Sequence, residues 1–94
     1  MQNIRIISGT LRTRYTGPRG FAGSKIHANG YTLQGYRRVS VDYDHALNSI
    51  PNHAAAARAW LAKHAPGAVL DSEPREGKRG GYAWTWTMAA EVTP

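Results

Sequence analysis

An antiparallel β-sheet covered on one face by a single helix is the architecture this sequence predicts, and three observations predict it. Apolar and polar residues alternate through residues 3–16, 31–43 and 82–88, the period of a strand with one buried face. One alanine-rich stretch, Ser49 to His64, has the composition of a helix and is followed by Pro66-Gly67, a stop signal. The strands group on either side of that helix instead of alternating with helices, which selects an α+β layer over a parallel sheet. The expected order is β-β-β-α-β-β, with about five antiparallel strands.

The first strand alternates with one slip. Ile4 and Ile6 share one parity, whereas Ile7, Leu11, Thr13 and Tyr15 share the other. A bulge at Ser8-Gly9 reconciles the two, since glycine inside a strand often marks such an irregularity. Arg12 and Arg14 then point away from the core, and Thr16 to Gly20 forms a turn. Asn29-Gly30 is the sharpest local signal, because both residues accept the positive φ of a two-residue hairpin. That turn pairs Ala28 with Tyr31, Ile26 with Leu33 and Lys25 with Gln34. Tyr31, Leu33, Val39, Val41 and Tyr43 then line the core face. Thr32, Gln34, Tyr36, Arg38 and Ser40 line the other face, while Gly35 bends the strand and Arg37 snorkels at an edge.

Ser49 is the expected N-cap, with Pro51 in the first turn, where a missing N–H is harmless. Ile50, Ala54, Ala57 and Leu61, with Trp60 beside them, form the apolar stripe. Lys63 and His64 suit the negative end of the helix. Ala68-Val69-Leu70 reads as a short strand, and Pro74 to Gly81 as a loop. The last strand sends Tyr82, Trp84, Trp86 and Met88 into the core, where large aromatics bury well. Its Gly81-Tyr82-Ala83-Trp84 start departs from the aromatic strand of an RNA-recognition motif, which also needs a second helix.

The chain has 94 residues, the size of one domain spanning residues 1–94. A chain this short buries only about 60–65% of its unfolded surface, so the core is modest. It contains no cysteine, which excludes disulfides, thiolate metal sites and cysteine nucleophiles. No segment has the run of apolar residues that a transmembrane helix needs, and the first residues lack a signal-peptide core. A cytoplasmic location is expected, with no membrane partner.

Charge is unevenly distributed. The net charge is +6. Residues 1–41 hold Arg5, Arg12, Arg14, Arg19, Lys25, Arg37 and Arg38 and no acid; the first carboxylate is Asp42. Such asymmetry points to a positive face and an anionic partner. The candidate binding residues are Arg12, Arg14, Lys25, His27, Tyr36 and Arg38 on the sheet face away from the helix. Arg75, Lys78 and Arg79 in the glycine-containing loop join them. Cations track phosphates, an exposed ring stacks a base, and glycines let backbone approach an anion. The loop lacks the spacing of a nucleotide-binding P-loop.

No catalytic residue is assigned. His27, His45, His53 and His64 have no metal-ligand spacing, so no metal or cofactor is expected. Asp42, Asp44 and His45 could form an acid–base pair, but neighbouring residues in such a stretch point in different directions. Asp44 or Asn48 is instead expected to bond the backbone before the helix.

Several short motifs carry a resemblance. They are Gly23-Ser24-Lys25-Ile26-His27-Ala28, Val41-Asp42-Tyr43-Asp44-His45-Ala46-Leu47-Asn48, Asn52-His53 before the alanines, and Gly81-Tyr82 opening an aromatic strand. Together they resemble a family of small uncharacterised accessory proteins from phage, prophage and plasmid neighbourhoods. The resemblance covers residues 13–88 and carries no catalytic residues to transfer. It implies a mobile-element accessory role, in which small phage proteins bind and block host machinery. Two expectations follow: a non-catalytic protein that binds nucleic acid or a nucleoprotein complex, or an anti-CRISPR-like inhibitor that blocks a host defence protein.

Overall fold

The computed structural model describes residues 3–17, 23–32, 34–71, 74–77 and 81–92. Its elements are β1 (Asn3–Thr16), β2 (Lys25–Thr32), β3 (Gly35–Asp42), α1 (Ser49–His64), β4 (Val69–Leu70), β5 (Arg75–Glu76) and β6 (Tyr82–Val92). One antiparallel sheet has the order β3-β2-β1-β6-β4, with β5 also paired to β6. Helix α1 packs on one face of it, so the α+β class and the single covering helix are as expected.

The hairpin is not where Asn29-Gly30 predicts it. Both residues lie inside β2, opposite Arg38 and Arg37. The chain reverses after Thr32 instead. The Thr32 hydroxyl accepts from the Gln34 N–H at 3.0 Å and donates to the Gly35 carbonyl at 3.1 Å. Gly35 takes a φ of 111°, which glycine reaches without steric cost. The true partners are Ala28 with Val39, Ile26 with Val41 and Lys25 with Asp42. Leu33, expected in the core, lies outside the described residues.

Packing explains why Gly30 stays in the strand. A Cβ there would lie 2.9 Å from Trp60 Cζ2 and 3.1 Å from Leu11 Cβ. The glycine lets the helix lay its indole directly on the sheet. Relative to the predicted register, the pairing slides by an even number of residues, so Val39 and Val41 keep the core face. Tyr31 and Thr32 now precede the turn and exchange faces. Tyr31 is 73% exposed on the outer face.

The bulge at Ser8-Gly9 is likewise absent. The β1–β6 register runs without interruption from Asn3 opposite Val92 to Thr13 opposite Tyr82. Gly9 faces Trp86, and a Cβ at Gly9 would overlap that indole. Ile6 simply lies on the outer face, largely exposed. Tyr15 has core parity but sits at the margin, half exposed, with its ring against Tyr43 and its hydroxyl donating to Ser24 Oγ.

The core joins Leu11, Ile26, Ala28, Trp84 and Trp86 of the sheet to Ala56, Ala57, Trp60 and Leu61 of the helix. Two features of α1 differ from expectation. Its N-cap is Asn48, in extended conformation, and not Ser49. Ile50 is exposed, and the buried face holds Asn52 and His53 in its place. Asn52 organises the preceding loop: its amide donates to the carbonyls of Asp44, Leu47 and Asn48, and its Oδ1 accepts from the Asp44 N–H. That work commits a buried polar side chain where the apolar pattern calls for an aliphatic one.

The expected loop before β6 contains a strand, because Arg75 and Glu76 pair with Ala83 and Tyr82. The molecule is elongated, 55 × 24 × 23 Å. The cause is the long β1–β6 ribbon, whose outer half extends past the ends of β2 and β4. No helix among the described residues is long and apolar enough to cross a membrane.

Candidate functional site

The face of the sheet away from α1 collects the basic side chains through strand register. Cross-strand partners in an antiparallel sheet share a face. Arg75 lies opposite Ala83, Ala83 opposite Arg12, Arg12 opposite Asn29, and Asn29 opposite Arg38. Three arginines therefore stand in one row across five strands. Four inter-strand steps make that row about 19 Å long. The adjacent row holds Arg14, His27 and Ser40. On the other side lie Tyr31 and Tyr36, opposite each other. None of these positions is a carboxylate.

An open concavity of about 800 Å³ lies over this face. Arg12, Arg14, Asn29, Tyr36 and Arg38 line it. Gly77 and Gly81, joined by an N–H···O bond of 2.7 Å from Gly77 to Gly81, form its rim at the β5–β6 turn.

His27 is the pivot of the second row. Its Nδ1 lies 2.9 Å from Arg38 Nη2 and 2.6 Å from Ser40 Oγ. A guanidinium only donates, so Nδ1 is the acceptor and the ring proton belongs on Nε2. Burial, then the charges of Arg38, Arg14 and Lys25, hold the imidazole below its ordinary pKa. His27 is thus a neutral prop that fixes the direction of Arg38.

Lys25 ends the patch. Its ammonium is 2.7 Å from Asp42 Oδ1, and that contact lowers the Asp42 pKa. Lys25 is therefore neutralised at the margin while Arg12 and Arg14 carry their charge into the open face. Asp71 lies at the β4 edge of the same outer face, where its carboxylate accepts from the Thr87 hydroxyl at 2.6 Å.

The register thus brings Arg12, Arg14, Tyr36 and Arg38 onto one face with His27, with Lys25 at one margin and Arg75 at the far end of the arginine row. Lys78 and Arg79 lie outside the described residues. Asn29 and Tyr31 belong to the same face but were missed by sequence reasoning, which assigned one to a turn and the other to the core. Gly35 was the signal that could have placed them, since a chain reversal that ends at Gly35 puts both on β2.

The acidic stretch before the helix forms no acid–base pair. Asp42 faces Lys25, Asp44 Oδ1 accepts from the Ala46 N–H at 2.9 Å, and His45 packs against the Tyr43 ring. Among the described residues, no three His, Asp or Glu side chains gather as a metal site. His53 is instead a core residue, 1% exposed, with Nδ1 2.7 Å from Thr13 Oγ1. The same oxygen accepts from Trp84 Nε1 at 2.9 Å. Burial lowers the His53 pKa, so this ring stays neutral.

No protein-family model, curated protein or solved structure matches this chain.

Proposed function

We propose that this chain is a non-catalytic nucleic-acid-binding protein, acting on a bare strand or on a nucleoprotein complex, in the accessory role that the resemblance to mobile-element proteins implies. One observation carries the reading: Arg12, Arg38 and Arg75 share a row, Arg14 stands in the next, and no carboxylate stands in either. A repeating array of phosphates suits such a line, because each arginine neutralises one charge and releases its counterion. A small anion would need only one or two of them. The open concavity supports the same reading, since an extended anion can lie on it from solvent.

A gel-shift titration with labelled single- and double-stranded DNA and RNA tests the proposal. Wild-type protein is expected to shift nucleic acid at about 50 mM salt and to lose it steeply by about 200 mM. The Arg12→Glu, Arg38→Glu double variant, folded by circular dichroism, should not bind. Absence of any shift by the wild type at the lower salt rejects the reading. A specific protein captured from nuclease-treated lysate, with no shift, would favour a protein-blocking inhibitor instead.

A further inference from the structure

Resting on that reading, we infer that the outer face is built for single-stranded nucleic acid, with a base stacked on the Tyr31–Tyr36 pair while arginines hold the adjoining phosphates. The two tyrosines are cross-strand partners on the same face as the arginine rows. Their rings meet edge to face, 5.3 Å between centroids at 66°. Both nevertheless stay open to solvent, Tyr31 at 73% and Tyr36 at 52% exposure. Large exposed aromatics cost a protein solubility, and a pair of them beside cations marks a contact surface.

The geometry favours a single strand over a duplex. Tyr36 and Arg38 are two residues apart on β3, so their side chains rise from one face about 6.8 Å apart. Asn29 and Tyr31 repeat that step on β2. A base on Tyr36 therefore leaves its phosphate within reach of Arg38 or Arg12. The Asn29 amide, between those two arginines, offers a donor and an acceptor to a base edge. A duplex keeps its bases stacked inside and presents no free base face to a lateral ring. Its major groove admits a helix or a two-stranded ribbon, whereas this face is five strands wide at the arginine row. Stacking on an aromatic accepts every base, so little sequence preference is expected.

Fluorescence anisotropy decides the matter. The probes are one mixed-sequence oligonucleotide as single-stranded DNA, as single-stranded RNA and as the DNA duplex, each at about 50 mM salt. The single-stranded forms should bind more tightly than the duplex. Tyr36→Ala should weaken single-strand binding about five- to hundredfold, the worth of one stacked base, and leave duplex binding unchanged. Tyr36→Phe should retain affinity because the ring remains. Tyr31→Ala should show a loss of the same kind. Duplex affinity equal to that of the single strand overturns the inference. So does single-strand affinity unmoved by both alanine variants. If charge reversal at Arg12 and Arg38 still abolishes binding in those cases, the basic-face reading survives alone. If the wild type binds no probe, both fall.

Discussion

Adding one methyl group at Gly30 probes the register on which the site depends. The alanine Cβ would lie 2.9 Å from Trp60 Cζ2, 3.1 Å from Leu11 Cβ and 3.1 Å from the Thr10 carbonyl. None of these yields easily. Trp60 is fully buried and its Nε1 donates to the Arg37 carbonyl at 3.1 Å. Leu11 is 1% exposed, and the Thr10 carbonyl belongs to β1. Overpacking of this kind costs about 1–3 kcal/mol. Replacing glycine within a strand returns about 0.5–1 kcal/mol. The net loss is about 1 kcal/mol, a fall of about 4–8 °C in Tm for a domain of this size. Thermal melts of Gly30→Ala measure it, and the same change in a Trp60→Phe background interprets it. Phenylalanine lacks the nearest clashing ring carbon and leaves only the two 3.1 Å contacts, so there the alanine should cost clearly less. A turn at Asn29-Gly30 would instead make alanine costly through φ, whatever stands at 60. Equal destabilisation in both backgrounds would refute the strand register and the face built on it.

Three further outcomes are expected. Thr13→Val leaves the buried Trp84 indole N–H and His53 Nδ1 without their shared partner and should destabilise by about 1–3 kcal/mol in urea unfolding; a change near zero would mean that the network contributes little. His53 and His27 have folded pKa values below their unfolded ones, so the unfolded state binds more protons as pH falls below about 6.5. Stability should therefore be level above neutral pH, then fall through that window; melts that stay constant or rise between about pH 7 and 5 would contradict the assignment of neutral rings. Asp42→Asn removes the carboxylate that neutralises Lys25 and should tighten nucleic-acid binding, as read by anisotropy; weaker binding would show that Asp42 serves the site in another way.

The basic face was legible in the sequence although the turn that seemed to place it was not. Asn29-Gly30 is a strong local signal, yet the helix overrode it by laying Trp60 on Gly30, a contact between residues thirty apart that no local pattern reveals. The predicted and observed pairings differ by an even step, so Lys25, His27, Tyr36 and Arg38 kept their parity. Residues between the false and true turns did not, and Tyr31 and Asn29 were misplaced for that reason. Gly9 misled in the same way: a glycine that clears space for Trp86 reads as a bulge. The buried Asn52 and His53 stayed hidden because apolar periodicity has no term for a polar side chain whose partners lie elsewhere in the chain. Thr13 on the core parity was the one hint that a polar network crosses the core.

The salt dependence of binding bears most directly on the claim that this face tracks phosphates. For a single strand, each neutralised phosphate contributes about −0.7 to the slope of log K against log salt concentration. Four contacts from Arg12, Arg14, Arg38 and Arg75 predict a slope of about −2.8, and Arg12→Ala or Arg38→Ala should each reduce its magnitude by about 0.7. A slope near zero, or one that neither substitution changes, would contradict the account.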